Sequence, residues 1–209
     1  MVNTPDKKLI LLLIFLMLTI VVSGCNKKVD EKQEDITIVG YPKVHIEMED
    51  GGKMVLELYP EYAPETVKNF VVLAKAGFYD GLKFHRIVKG FMIQGGDPKG
   101  DGTGGSDKNI KGEFAENDFK QNTLNHTKGV ISMARSNAPN SASSQFFIVH
   151  GDATSLDGKY AAFGKLIEGE EILDRIADTP VEANPNMMQE VSLPKVPVVI
   201  KKITVELES

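Results

Sequence analysis

Short segments of alternating apolar and polar residues, separated by turn residues, recur along most of this 209-residue chain. The first two segments flank the turn residues of 49–52, and their apolar positions are Val44, Ile46, Met48, Met54, Leu56 and Leu58. A period of two residues is that of a half-buried strand, so this pair predicts a β-hairpin. Further strands are predicted at 83–87, 91–94, 129–133, 145–149, 161–165 and 198–207.

Two segments have the spacing of an amphipathic helix. The first is predicted at about 64–76, where Pro64 suits the first helical turn and Gly77 suits the position after the last. A shorter helix is predicted at 170–177. Many short strands with two helices favour a mainly β fold. They predict a closed barrel whose ends are covered by the helices, because closure removes exposed strand edges.

The N-terminal residues have the layout of a secretory signal. Lys7 and Lys8 precede an apolar run from Leu9 to Val22, and small residues lead into Cys25, the only cysteine of the chain. The run is about 14 residues long, whereas a membrane span needs roughly 20, so a spanning anchor is the less favoured interpretation. The segment resembles a bacterial lipobox, which implies cleavage directly before an acylated Cys25.

These features predict three parts: a lipoprotein signal peptide at 1–24, a lipid-anchored flexible tether at 25–41 and one globular domain at 42–209. The tether begins with charged residues that lack a hydrophobic period, a pattern that also fits a plain disordered leader. Two or three acyl chains would hold the protein at the extracytoplasmic face of the cell membrane, since each buried methylene contributes about 0.8 kcal/mol. A net charge of −5 with scattered basic residues argues against a nucleic-acid partner.

One arginine and two glutamines occur among aromatic residues and methionine at 84–97 and 144–147. A guanidinium has five fixed donors and stays charged at ordinary pH, while Phe, Met and Leu form an apolar socket of about the size of a proline ring. The sequence offers no obvious nucleophile and no cysteine or histidine spacing typical of a metal site. These residues predict a pocket that works by hydrogen bonding and shape, which favours a bond rotation as its chemistry.

Six motifs follow one another in order: Phe-His-Arg at 84–86, Gly-Phe-Met-Ile-Gln-Gly-Gly-Asp at 90–97, Gly-Thr-Gly-Gly at 102–105, Ser-Met-Ala at 132–134, Ser-Gln-Phe-Phe-Ile at 144–148 and Leu-Asp-Gly-Lys-Tyr-Ala-Ala-Phe-Gly-Lys at 156–165. Together they resemble the cyclophilin family of peptidyl-prolyl cis-trans isomerases, over roughly residues 42–207. The resemblance implies a closed eight-stranded antiparallel barrel capped by two α-helices. It also implies action on X-Pro bonds with no metal and no cofactor.

The resemblance further implies roles for particular residues. Arg86, Gln94 and Phe91 would be catalytic, with Arg86 as the donor that stabilises the twisted bond. Substrate-binding residues, which line the proline socket or the neighbouring groove, would be Met92, Gly102, Ala134, Arg135, Ser136, Gln145, Phe147, Leu156 and Tyr160. Arg135 would act through its main chain, and His85 is expected to be structural.

Two departures from the family pattern leave a second function open. Ser155 stands where many members have tryptophan, and Tyr160 stands where they have histidine. The tryptophan is associated in the family with cyclosporin binding, so tight inhibition by this drug is not expected. The leading hypothesis is an isomerase that assists folding of exported proteins, with unfolded or partly folded proline-containing polypeptides as partners and the membrane bound through Cys25. The alternatives are a proline-peptide binding or chaperone module without catalysis, and a purely structural surface lipoprotein.

Overall fold

The computed structural model of the protein describes residues 36–207. Within them, the secondary-structure elements in chain order are β1 (Lys43–Met48), β2 (Lys53–Leu58), α1 (Pro64–Lys75), β3 (Arg86–Val88), β4 (Met92–Gly95), β5 (Val130–Met133), β6 (Phe146–Val149), β7 (Ala162–Glu168), α2 (Glu170–Ala177), β8 (Val181–Asn184), β9 (Glu190–Pro194) and β10 (Ile200–Glu206). The predicted signal segment, Cys25 and most of the predicted tether lie outside the described residues. No helix within 36–207 has both the length and the apolar character needed to cross a bilayer.

Eight strands form one antiparallel sheet in the order β10-β1-β2-β7-β5-β6-β4-β3. The prediction of a closed barrel is wrong, because the sheet is a half-barrel whose two edge strands, β10 and β3, do not form a ladder with each other. Strand β3 has only three residues, and the turn-rich chain before it makes a single antiparallel bridge, between Lys83 and Val199. The two edges are therefore joined by an isolated bridge and a few loop hydrogen bonds rather than by continuous pairing.

Side chains on one face of the sheet form the main core with helix α1. At its centre the rings of Phe70 and Tyr79 stack at 5.0 Å, and the rings of Phe146 and Phe163 each lie 5.4 Å from Phe70. All four side chains are fully buried. Burial of this kind contributes about 25 cal/mol per Å² of apolar surface, so the aromatic cluster is a major source of stability.

Helix α1 begins at Pro64 without a capping side chain from the preceding residue. A carboxylate from a distant loop replaces that cap: Glu113 accepts hydrogen bonds from the backbone amides of Glu65 and Thr66 at 2.9 and 2.8 Å, and from the Thr66 hydroxyl at 2.7 Å. The amides of the first helical turn have no partner within a helix, and negative charge is favoured there. Glu113 therefore fixes the helix relative to the loop that precedes β5.

The other face of the central strands carries a second, smaller apolar cluster. Because side chains alternate along a strand, Phe146 and Ile148 face the main core, whereas Phe147 and Val149 face this second cluster. On the neighbouring strand β4, Ile93 belongs to the main core in the same way and Met92 to the second cluster. Alternate side chains of these strands thus face the interior of the fold on one side and form the floor of a groove on the other.

Strands β8 and β9 form a separate two-stranded hairpin between α2 and β10. The sequence patterns did not predict it. Strand β9 packs beside β3, which carries Arg86. The hairpin therefore lies at the edge of the sheet where the predicted catalytic arginine is found.

Candidate active site

A cavity of about 370 Å³ opens over the second cluster, near the lower end of the roughly 300–1,000 Å³ typical of ligand sites. All twelve residues predicted as catalytic or substrate-binding line it: Arg86, Phe91, Met92, Gln94, Gly102, Ala134, Arg135, Ser136, Gln145, Phe147, Leu156 and Tyr160. They come from strands β3 to β6 and from the loops that follow them, so the sheet brings together residues up to 74 positions apart. The functional roles assigned to these residues remain predictions.

Arg86 and Gln94 are directly opposite each other in the antiparallel pair of β3 and β4. Their side chains therefore share a face, and Arg86 Nη1 donates to Gln94 Oε1 at 3.1 Å. The guanidinium is mostly covered, with 21% of the side chain exposed, and its Cζ atom lies 6.0 Å from the centre of the Phe91 ring. A cation with fixed geometry thus borders the apolar part of the cavity.

Two glutamines connect this guanidinium to the glycine-rich loop at 96–105, which follows β4. Gln94 Nε2 donates to Gln145 Oε1 at 2.9 Å, and Gln145 Nε2 donates to the carbonyl oxygens of Gly102 and Gly104 at 3.1 and 2.7 Å. Every donor–acceptor direction is set along this chain, because a carbonyl can only accept. This chain of hydrogen bonds fixes the orientation of both side-chain amides and links the Arg86 guanidinium to the loop.

The apolar end of the cavity is a socket formed by Phe91, Met92, Phe147 and Leu156. Under it, the buried ring of His126 stacks on Phe147 with 5.9 Å between ring centres and 17° between planes. This ring is itself held by hydrogen-bonding contacts to Asp157 Oδ1 at 2.9 Å and Ser132 Oγ at 3.0 Å. These contacts fix the position of the ring that supports the floor of the socket.

The Asp157, His126 and Ser132 side chains form a row that resembles the order of groups in a serine hydrolase. No sequence motif marks this row, because its members lie apart in the chain. Ser132 and the His126 side chain are fully buried, so no substrate carbonyl reaches the hydroxyl. Burial lowers the pKa of His126, although the Asp157 carboxylate opposes this shift. The row is a structural support for Phe147.

Arg135 forms one wall of the groove, through its side chain as well as its backbone. Its guanidinium lies between two rings, 4.8 Å from the centre of Phe114 and 4.6 Å from that of Tyr160. The same group donates to the carbonyl oxygen of Lys159 through Nε at 3.1 Å and Nη2 at 2.8 Å. The backbone N–H and C=O of Arg135 make no hydrogen bond to any residue in 36–207, which leaves both available to a bound chain.

The glycine-rich loop is ordered by a buried carboxylate. Asp97 accepts hydrogen bonds from the backbone amides of Lys99, Asp101 and Gly102, at 2.8, 3.2 and 2.6 Å. Gly102 has φ +89°, a conformation that side chains other than glycine rarely adopt. His85 is buried nearby, and neither of its ring nitrogens has a hydrogen-bond partner within the described residues; its structural role stays a prediction.

Several lining residues were not predicted as site residues: Thr103, Gly104, Ser141, Ser143 and Met187. The first two belong to the Gly-Thr-Gly-Gly motif, and the two serines precede the Ser-Gln-Phe-Phe-Ile motif, so their neighbourhood carried a signal. Met187 comes from the unpredicted β8–β9 hairpin and had none. Within residues 36–207, no group of three or more His, Cys, Asp or Glu side chains is arranged to hold a metal ion.

Comparison with known proteins agrees with this geometry. Residues 43–205 match the family described as cyclophilin type peptidyl-prolyl cis-trans isomerase/CLD. A peptidyl-prolyl cis-trans isomerase of Helicobacter pylori is 42% identical over 152 residues, which are 72% of this chain and 88% of the relative. Peptidyl-prolyl cis-trans isomerase-like 3 of Gallus gallus is 45% identical over 132 residues, which are 63% of this chain and 80% of the relative.

A solved structure is similar across the whole domain. The cyclophilin type isomerase of Cryptosporidium parvum, crystallised in the presence of the dipeptide Ala-Pro, has a TM-score of 0.68 and 33% sequence identity. The match covers 79% of this chain and 99% of the other. Fold and relatives together define an isomerase that acts on the peptide bond before proline. The chain belongs to the cyclophilin family of peptidyl-prolyl cis-trans isomerases.

Proposed function

We propose that this isomerase uses Arg86 as its catalytic donor and accelerates X-Pro rotation in exported polypeptides at the extracytoplasmic face of a membrane. The observation that carries the catalytic part is the position of the guanidinium, which is fixed by Gln94 beside the apolar socket of Phe91 and Phe147. The Ala-Pro dipeptide present with the Cryptosporidium parvum relative supports an X-Pro segment as the substrate.

The difficulty of the reaction lies in amide conjugation. The lone pair of the proline nitrogen is delocalised into the preceding carbonyl, which gives a rotation barrier of roughly 18–20 kcal/mol and exchange in tens of seconds. Twisting the bond removes this conjugation, so the nitrogen becomes pyramidal and regains its lone pair. A donor that reaches this lone pair stabilises the twisted state more than either planar state, which is the requirement for catalysis.

Arg86 can act in this way because its charge is permanent and its position is fixed before substrate arrives. An acceleration of about a million-fold requires about 8 kcal/mol, whereas one charge-assisted hydrogen bond contributes roughly 1.5–3 kcal/mol. The remainder would come from the socket and the groove. Phe91, Met92, Phe147 and Leu156 would hold the ring and exclude water while the preceding carbonyl swings.

The groove beyond the socket would bind the residues that precede proline. The free backbone groups of Arg135 would pair with the substrate backbone, while Gly102, Ala134, Ser136 and Gln145 would border the side chain before proline. Tyr160, which packs against the Arg135 guanidinium, would extend the wall that Arg135 forms. Such a site recognises an extended, exposed segment, which suits an unfolded or partly folded polypeptide.

The membrane part of the proposal rests on the sequence. Small residues before the only cysteine support acylation of Cys25 after signal cleavage, and the charged residues that follow would give the domain reach from the surface. Ile36 and Ile38 are partly buried against the main core, so the tether would meet the domain near these residues. A domain anchored in this way would meet polypeptide chains as they emerge from the membrane.

Peptide exchange measured by NMR tests the catalytic part. With a proline-containing peptide in excess, the wild-type protein should bring cis and trans resonances into exchange far faster than in its absence. A pure proline-peptide binder would shift resonance positions or populations without accelerating exchange. That result would support the binding module and exclude catalysis.

Metabolic labelling with a palmitate analogue tests the anchor. In a bacterial host, the wild-type chain should carry label, lack residues 1–24 and sediment with membranes. A Cys25→Ala variant should lose the label, while Ser23→Ala, a small-residue change two positions earlier, should keep it. Equal labelling of the Cys25→Ala variant, or a mature chain that keeps the first 24 residues, would exclude this anchor.

A further inference from the structure

The β8–β9 hairpin supplies a carboxylate that forms an ion pair with the Arg86 guanidinium. Glu190, the first residue of β9, accepts from Arg86 Nε at 2.8 Å through Oε1 and from Nη2 at 2.8 Å through Oε2. The two residues are 104 positions apart, and the paired side chains are 21% and 36% exposed. This is a bidentate pair in which two parallel hydrogen bonds fix the plane of the guanidinium as well as its position.

The same hairpin also reaches the groove at a second point. Met187, in the loop between β8 and β9, lines the cavity beside Gly102. A Cβ atom built on Gly102 would lie 2.5 Å from the Met187 methyl carbon, so the loop and the hairpin are in close contact there. The hairpin therefore forms part of the wall of the cavity.

We propose that Glu190 is a positioning residue for Arg86, supplied by a hairpin that belongs to the active site. The inference rests on the proposed role of Arg86 as the donor. Glu190 accepts hydrogen bonds from Nε and Nη2 of the guanidinium, and Gln94 accepts one from Nη1. The group is thus held on two sides, and its remaining Nη2 donor is presented in one fixed direction.

Two opposing effects decide the sign of this contribution. The carboxylate weakens the field of the guanidinium at the substrate, because it lies in contact with the cation. The carboxylate also restricts the rotamers of the Arg86 side chain before the substrate binds. If Arg86 had to be ordered only when the substrate binds, the entropy cost would lower the rate roughly tenfold. Glu190 and Gln94 contact different edges of the guanidinium and together fix its orientation. We therefore expect the gain from a fixed Arg86 to outweigh the weaker electrostatic field at the substrate.

The experiment compares Glu190→Gln with Glu182→Gln, which makes the same change on an exposed residue of the same hairpin. Glutamine keeps the size of the side chain but provides one acceptor and no charge. Glu190→Gln should lower kcat for X-Pro exchange about tenfold and change KM less than twofold, since the apolar socket is intact. The control should match the wild type. Unchanged or increased kcat in Glu190→Gln would overturn the proposal, and an increase would identify the carboxylate as an inhibitory contact.

The Nε–H resonance of Arg86 reports its pair with Glu190 directly and separately from catalysis, whereas the change in kcat at nearly constant KM is the readout that a merely structural role would not produce. In the wild type it should be shifted downfield and protected from solvent exchange by the pair with Glu190. In Glu190→Gln it should move toward the position of a free arginine, while backbone resonances outside the hairpin stay in place. An unmoved resonance would contradict the ion pair. If the wild type itself failed to accelerate exchange, the donor role of Arg86 would fail, and the resonance would still report the pair independently.

Discussion

Acidification from pH 7.5 to 5.5 should destabilise the folded protein through two buried histidines. Burial is the largest cause that lowers the pKa of His85; Asp97 opposes this shift and Arg86 adds to it. Burial also lowers the pKa of His126, against the effect of Asp157. Each ring therefore binds a proton less readily in the folded state than in the unfolded chain, where it gains one below about pH 6.5.

The sign follows from which state binds more protons. Below the unfolded pKa the unfolded chain binds more protons, so stability is full above that value and decreases as pH falls through it. A ring that stays neutral in the folded state loses about 1.4 kcal/mol of stability between pH 7.5 and 5.5. Two such rings give an upper limit of about 2.7 kcal/mol, a large fraction of a typical free energy of unfolding.

Urea denaturation followed by far-UV circular dichroism measures this effect, since the chain has no tryptophan. His85→Leu should reduce the pH dependence by about half and leave stability at pH 7.5 equal or higher, because neither His85 nitrogen has a partner among residues 36–207. Equal unfolding free energies for the wild type at both pH values, or a higher value at pH 5.5, would refute the reasoning.

Two further substitutions separate stability from substrate binding. Glu113→Ala removes the carboxylate that caps helix α1 and should lower the free energy of unfolding by about 3 kcal/mol in urea titrations, with kcat/KM unchanged for the folded fraction. A loss under 0.5 kcal/mol would show that the cap is dispensable. Arg135→Gln removes the cation from between Phe114 and Tyr160 and should raise KM about fivefold with kcat unchanged. Steady-state kinetics on a proline peptide measures this, and an unchanged KM would exclude a role for the side chain in the wall.

The regular elements with a strong period could be predicted from sequence. Helix α1 was predicted at about 64–76 and ends at Lys75, and α2 occupies the predicted residues 170–177. Both helices place apolar residues at helical spacing against the core. Closure of the barrel could not be predicted, because it depends on whether the chain before β3 pairs with the chain before β10. An isolated bridge between Lys83 and Val199 and a few loop hydrogen bonds form there instead of a continuous ladder.

The β8–β9 hairpin illustrates what periodicity does not detect. Of the four residues in β8, only Asn184 is buried, so the strand has no apolar face to alternate with a polar one. Its loop places Met188 and Gln189 at positive φ, 49° and 65°, where sequence rules expect glycine or asparagine. Three-dimensional contact with β3, rather than local preference, accounts for the position of this hairpin.

The same limit applies to the site. Arg86, Gln94 and Phe147 belong to ordered motifs, and the sheet places them around one cavity. Glu190 belongs to no motif and lies far along the chain, so its pairing with Arg86 became visible only in the folded molecule. Sequence motifs identified the residues proposed to touch the substrate. They did not identify the residue that holds the proposed donor.

Cis-trans exchange of one proline peptide, measured at equal concentrations of folded wild type, Arg86→Lys and Arg86→Ala, tests the central claim most directly. If the guanidinium stabilises the twisted bond, Arg86→Ala should lose about 10²–10³-fold in exchange rate, the loss typical of removing a positioned donor. Arg86→Lys should lie between the two, since it keeps the charge without the planar fork. Wild-type exchange rates in folded Arg86→Ala would contradict the account.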